Sequence, residues 1–232
     1  MNIENSVVLI TGANGGLGAE FVEQALSRGA QRVYASARTP RPWSSGRVVP
    51  LSLDVTSQES IDKAAAIATD VDIVINNAGR NTRQGLLDSE LETTRAIFET
   101  NVFGQIAVTK AFAPALAAHG GGALVNVLSV MSWVPRRGAY NPSKAAFWSV
   151  TNSLRLELAA QNTQVVGAHL SFTDTPMTAD LTVPKATAAD IVRAIYDGVQ
   201  NGEIEVLADE PSRNVKALLA GDVRNLEGAL FT

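Results

Sequence analysis

Ser6-Val7-Val8-Leu9-Ile10-Thr11-Gly12-Ala13-Asn14-Gly15-Gly16-Leu17-Gly18 begins as an apolar run and ends as a glycine cluster. Residues 6–11 read as a buried strand, since an unbroken Val-Val-Leu-Ile run suits a strand covered on both faces. Beyond the glycines, apolar residues recur at Leu17, Phe21, Val22, Ala25 and Leu26, a helical spacing over residues 16–28, and Gly29 stops it. Glycines in such a turn let the backbone fold tightly and approach a pyrophosphate closely. The helix N-terminus behind them offers free N–H groups and partial positive charge. A loop that only needs positive φ angles would also use glycine, but the strand–turn–helix setting favours a dinucleotide site. The spacing is Thr-Gly-x-x-x-Gly-x-Gly, not Gly-x-Gly-x-x-Gly.

Outward from this unit, short β-branched runs alternate with helical patterns. Strands are expected at residues 32–36, 48–54, 72–76, 123–129, 164–170 and 204–207. Helices are expected at 58–68, 90–99, 101–118, 141–160, 187–199 and 211–219. Such alternation implies an α/β fold, a doubly wound Rossmann-type parallel sheet of about seven strands with helices on both faces. Strand order is not legible at this stage. The 232 residues show no linker or repeat, so residues 1–232 read as one domain.

Close to half of the residues are apolar, enough for a large core, and the net charge of −4 argues against nucleic acid and anionic membrane as partners. No cysteine is present, which excludes disulfides and thiolate chemistry. The N-terminal apolar run is too short for a signal segment or a membrane span. These features predict a cytoplasmic protein. His119 and His169 are the only histidines, with no ligand spacing around them, so no metal site is expected.

Further motifs fall at expected strand ends. Asn76-Asn77-Ala78-Gly79 closes the fourth strand, Ser129 the fifth, and Tyr140-Asn141-Pro142-Ser143-Lys144 opens a long helix. Together with the glycine turn and Asn101, these resemble the short-chain dehydrogenase/reductase family, over about residues 7–207. The resemblance implies catalytic roles for Asn101, Ser129, Tyr140 and Lys144. It implies cofactor contacts from Gly12, Asn14, Gly16, Leu17, Gly18, Arg38, Asp54, Val55, Asn77, Ala78, Gly79, Tyr140, Lys144 and Thr175.

Arg38 follows the second strand and Ala37 stands where an acid would bind a ribose hydroxyl. An arginine fork suits a 2′-phosphate, so NADP(H) is the expected cofactor. Asn14 in place of a basic residue in the turn leaves NAD(H) open. Arg41 could add charge, and Asp54 reads either as an adenine contact or as a turn residue.

Tyr140 and Lys144, four apart, share one helix face. A free phenol titrates at about 10. A nearby ammonium is expected to lower that value and fit the phenol for acid/base work on a carbonyl or alcohol. By resemblance Lys144 also holds the nicotinamide ribose, Ser129 orients the substrate oxygen, and Asn101 fixes a water leading from Lys144 to solvent. The expected activity is hydride transfer between NADP(H) and a small-molecule carbonyl or secondary alcohol, of carbonyl reductase type. The alternative is a non-catalytic NADP(H)-sensing protein on the same fold. An epimerase or dehydratase is disfavoured by the short stretch after Met177.

Several features depart from the family. The segment between Ser129 and Tyr140 is short. Leu170-Ser171 replaces Pro-Gly after the sixth strand, and residues 178–186 can hardly build a helical lid, which predicts an open pocket. Met131 and Trp133 read as pocket or packing residues, and Arg80 and Arg83 as solvated loop charges. A homodimer or homotetramer is expected through the two long helices and the last strand, with Phe147, Trp148 and Leu154 at the interface or in the core. The tail 211–232 has no assigned role.

Overall fold

The computed structural model of the chain describes residues 1–118 and 120–229. His119 and the last residues of the tail, 230–232, lie outside them, and so does the reading of His119 as an isolated histidine. Seven strands, β1 (Val7–Thr11), β2 (Arg32–Ala37), β3 (Val48–Ser52), β4 (Ile73–Asn76), β5 (Ala123–Val127), β6 (Gln164–His169) and β7 (Glu205–Leu207), form one sheet. Every pairing is parallel, in the order β3-β2-β1-β4-β5-β6-β7. The chain runs outward from β1 to β3, then crosses back to lay β4 on the other side of β1. That reversal opens a crevice between the ends of β1 and β4, where ligands of such sheets bind.

The helices are α1 (Gly16–Ser27), α2 (Gln58–Ile67), α3 (Leu91–Phe98), α4 (Gly104–Ala118), α5 (Tyr140–Glu157), α6 (Ala188–Gln200) and α7 (Glu210–Leu218). Alternate strand residues serve opposite faces, as the two-residue period requires. Val8, Ile10, Ile73, Ile75 and Val125 pack with Phe21 and Val22 of α1 and Ile191 and Ile195 of α6. Leu9, Val74 and Leu124 pack with Ile61 of α2, Phe112 and Leu116 of α4 and Leu154 of α5. Both faces are thus covered, which is why these strands lack polar alternation. Truncating fully buried Ile10 or Ile75 to alanine would cost about 2–5 kcal/mol.

Three strands stop short of the expected ends: β3 before Asp54, β5 before Ser129 and β6 before Leu170. The residues left over leave the sheet to line the crevice. Phe147 and Leu154 are buried in the core, and Trp148 is half-buried beside Trp133. Among the described residues no helix is long and apolar enough to cross a membrane.

Candidate active site

The crevice is a cleft of about 1370 Å³ along the carboxyl ends of the strands. Strand order arranges its contents. Arg38 and Asp54 follow β2 and β3, the glycine turn and Asn77–Gly79 follow β1 and β4, and Ser129 and Leu170 follow β5 and β6.

Two glycines of the turn are required by geometry. Gly12 has φ +67°, and a Cβ there would stand 3.0 Å from the Ala78 Cα. A Cβ on Gly18 would stand 2.1 Å from the Gly12 carbonyl oxygen. Helix α1 therefore passes directly over the turn. Its N-cap, Gly15, supplies no side-chain cap, and a Cβ there would meet nothing within 4 Å. First-turn N–H groups without a side-chain acceptor, next to a bare glycine face, make an anion cradle.

Thr11 holds the two sides of the crevice together. Its hydroxyl donates to the Ile75 carbonyl at 3.2 Å and accepts from the Asn77 and Ala78 N–H groups at 2.9 and 3.0 Å. Asn77 returns its amide to the Thr11 and Gly12 carbonyls. Gln105 of α4 donates to the Ala78 carbonyl at 2.8 Å. Sequence reading assigned neither Thr11 nor Gln105 a role; nothing local marks either as a brace.

At the β2 end, Asn14 reaches out of the glycine turn. Its amide donates to the Thr39 carbonyl at 2.8 Å and accepts from the Arg41 N–H at 3.1 Å. This fixes the loop carrying exposed Arg38, which lines the cleft. The Arg41 guanidinium lies 3.9 Å from the Trp43 ring centre. Asp54 lines the cleft and also makes a turn, accepting from the Thr56 N–H and hydroxyl. Those two bonds hold its carboxyl below the usual range, with a smaller contribution from Arg38. Capping of α2 falls to Ser57.

At the β5 end, Ser129 caps a 3-10 turn over Val130–Ser132. Its hydroxyl accepts from the Met131 N–H at 3.1 Å and donates to the Leu170 carbonyl at 3.3 Å. Helix α5 starts at Tyr140, one residue earlier than the period indicated. Asn141 pins the short preceding loop by donating to the Val134 carbonyl at 2.6 Å, and the Tyr140 and Ser129 hydroxyls meet. Met131 and Trp133 are buried in packing.

The expected lowering of the phenol by Lys144 is not found. Burial pushes Tyr140 up to about 12, and only the Ser129 hydroxyl favours the phenolate. The Lys144 ammonium stands 5.7 Å from the phenol ring centre and donates to the Val127 carbonyl at 2.8 Å. Burial pushes it down to about 8. Burial is the leading cause at both groups, and neither is shifted by the charge of the other.

Asn101 sits in a π-helical turn, Glu99–Phe103, between α3 and α4. Its amide donates to the Arg80 carbonyl and the Ser143 hydroxyl and accepts from the Arg80 N–H at 2.8 Å. The side chain expected to hold a water is thus bonded to protein through both of its polar ends, and it braces the loop after β4 against α5.

On the far wall, Thr175 caps a single 3-10 turn, Pro176–Thr178, close to Gly16. Residues Thr173 and Ala186 pair in a bridge, so the segment between closes as a short loop without a helical lid. Arg83 is exposed, as expected of a solvated loop charge, and on the surface it pairs with Asp180 and donates to the Met177 carbonyl.

A cradle for diphosphate, a basic residue at the β2 end and a Ser–Tyr–Lys group at the β5 end fit a dinucleotide lying along the cleft. Among the described residues no cluster of acids and histidines is placed to hold a metal. Fold and cleft together define a Rossmann-type α/β protein of the oxidoreductase kind. The sequence profile of the short chain dehydrogenase family matches residues 6–186, and the chain belongs to that family. It superposes on a short chain dehydrogenase from Burkholderia cenocepacia J2315, solved in complex with NADP, with a TM-score of 0.91, 36% identity and full coverage of both chains. It is 33% identical to the short-chain dehydrogenase cctT of Talaromyces islandicus over 82% of this chain and 72% of that one. It is 30% identical to a dehydrogenase/reductase SDR family protein 7-like of Drosophila melanogaster over 70% of this chain, spanning 56% of that protein's length.

Proposed function

We propose that the protein is an NADP(H)-dependent oxidoreductase acting on a carbonyl/secondary alcohol pair of a small molecule. The observation that carries this reading is the meeting of Ser129, Tyr140 and Lys144 in the same cleft as the Gly12–Gly18 cradle and Arg38. The NADP complex of the Burkholderia cenocepacia protein supports the choice of cofactor.

The nicotinamide, when bound, supplies or accepts the hydride. The chain supplies the rest. In reduction, Tyr140 gives its proton to the carbonyl oxygen as the carbon gains hydride, leaving an alcohol; in oxidation it takes the proton back. Ser129 turns its one hydroxyl proton from the Leu170 carbonyl to the same oxygen, where charge builds up. Lys144 adds positive charge beside the phenol and holds the cofactor's ribose hydroxyls. Arg38 binds the 2′-phosphate, and Asn14 keeps its loop in place. With a phenol pushed up by burial, Tyr140 rests in its acid form, ready for carbonyl reduction. The lid-free mouth suits bulky carbonyls. Exposed Phe103 and Leu156, on the α4 and α5 side, support assembly as a homodimer or homotetramer.

The test is turnover by the purified protein with NADPH and a panel of ketones and aldehydes. Tyr140→Phe must lose that turnover while still binding NADPH; binding without turnover in the unmutated protein would instead favour a sensor.

A further inference from the structure

Behind Ser129, away from the cleft, lies a group that the mechanism above does not use. His169 ends β6 and is fully buried. Its Nδ1 is 3.2 Å from the Ser129 main-chain oxygen. Its ring stacks on Trp133 with centroids 3.9 Å apart and planes at 18°, and meets the edge of Trp148 at 6.5 Å. Its Nε2 has no hydrogen-bond partner. It stands 3.8 Å from a Glu205 carboxylate oxygen that the Lys216 ammonium neutralises at 2.8 Å.

We propose that His169 is a positioning residue for Ser129, coupling the C-terminal helix α7 to the catalytic cleft. This inference rests on the assignment of Ser129 made above.

The proton inventory of the ring supports it. A carbonyl oxygen only accepts, so the bond to Ser129 needs a proton on Nδ1. Burial, together with the nearby Lys216 and Lys144 ammoniums, pushes the imidazole well below its ordinary value, so the ring is neutral and carries one proton only. Nε2 is left with a buried lone pair. An apolar residue at this strand end would avoid that cost, which buried unsatisfied groups of this kind incur at about 1–3 kcal/mol. Chains tolerate such local violations where a site needs them.

What the bond achieves is visible in the strand end. The Ser129 main-chain oxygen takes the His169 N–H, while the Ser129 hydroxyl and the Val130 N–H both bond the Leu170 carbonyl. His169, the last residue of β6, and Leu170 just beyond it therefore grip Ser129 from two sides and fix its hydroxyl. Helix α7 sets that grip from behind. Asp209 caps α7 with one carboxylate oxygen and takes the Ser171 N–H with the other at 2.8 Å. Lys216 lies 5.0 Å over the Trp133 ring, which covers His169. The part of the tail within the described residues thus gains a role: it backs the wall that carries the substrate-binding hydroxyl.

The experiment compares His169→Leu, His169→Asn and Ser129→Ala in the full chain, with NADPH and the panel carbonyl turned over fastest, isatin being the first probe. Asparagine places an N–H near the position of Nδ1–H; leucine does not. The leucine variant should lose between about tenfold and a hundredfold in kcat, a misplacement effect, with an unchanged Kd for NADPH. The asparagine variant should recover most of that loss, whereas a merely structural role would leave both variants alike. Imidazole nitrogen NMR of the unmutated protein, which has only two histidines, should show His169 neutral with its proton on Nδ1. Unchanged kcat in the leucine variant, no recovery with asparagine, or a proton on Nε2 would each overturn the inference. Should the leucine variant not fold, the asparagine kcat and the NMR tautomer still decide. If Ser129→Ala is fully active, the reading of the site fails; if it is inactive while His169→Leu is not, only this inference does.

Discussion

A Cβ on Gly18 would stand 2.1 Å from the carbonyl oxygen of Gly12, so the first helix and the turn beneath it touch through hydrogen alone. The obstructing atom belongs to the backbone and cannot swing aside. Gly18→Ala should therefore lift α1 off the turn, lower stability by about 1–3 kcal/mol or more, and abolish NADPH binding. Gly15→Ala is the control: its backbone is extended and nothing lies within 4 Å of the added carbon. It should keep the melting temperature while weakening NADPH, because the methyl enters the cradle. Equal melting temperatures for the two variants would contradict this account, by thermal denaturation with and without NADPH.

Arg38 stands exposed at the end of β2 on a loop tied down by Asn14. Arg38→Asp should cut kcat/KM for NADPH by at least about tenfold, the scale of one charge-assisted contact, and improve NADH relative to it. Asn14→Ala should weaken both cofactors less, by freeing the loop. Steady-state kinetics with each cofactor measure the ratio, and an unmoved ratio would remove Arg38 from the 2′-phosphate site.

Because burial holds Tyr140 up to about 12 and Lys144 down to about 8, the two directions of the reaction should respond oppositely to alkali. Reduction uses the protonated phenol, which persists through neutral pH, and should weaken above about pH 8 as the Lys144 charge is lost. Oxidation needs the phenolate and should gain as pH rises. Profiles of kcat in each direction check this; parallel profiles would show that Tyr140 does not carry the proton.

His169 is pushed down to about 3, chiefly by burial, from an unfolded value of about 6.5. Between those values the unfolded chain binds a proton that the folded chain refuses. Stability from this residue is complete above about pH 6.5 and drains as pH falls toward 3, at up to about 1.4 kcal/mol per unit. His169→Asn should flatten that acid limb of the melting-temperature curve. A variant with the same acid slope as the parent protein would place the sensitivity elsewhere.

Much of the fold was legible because its signals are local. The Val-Val-Leu-Ile run, the spacing from Leu17 to Leu26, and Thr187 with Asp190 at a helix start each depend on residues within one or two turns. The glycines declared themselves for the same reason. The motif residues Gly12, Asn77, Ser129, Tyr140 and Lys144 were legible as candidates, and all of them line one cleft. The lowered phenol was misjudged, because a four-residue spacing reveals a charged neighbour but not the desolvation that opposes it. The exposure of Arg83 was legible, but its surface partner Asp180 was not, because the two are remote in the chain.

What the sequence by itself determined is the succession of strands and helices and the places where chemistry leaves them, since period and glycine act over a few residues. Only the tertiary structure decided that β4 lies beside β1 and β6 beside β5. That order sets Thr11 against Asn77, His169 against Ser129, and Asp209 against Ser171. Such pairings join segments far apart in the chain. They are selected by how whole faces pack and exclude water, a property that no short stretch of residues carries alone.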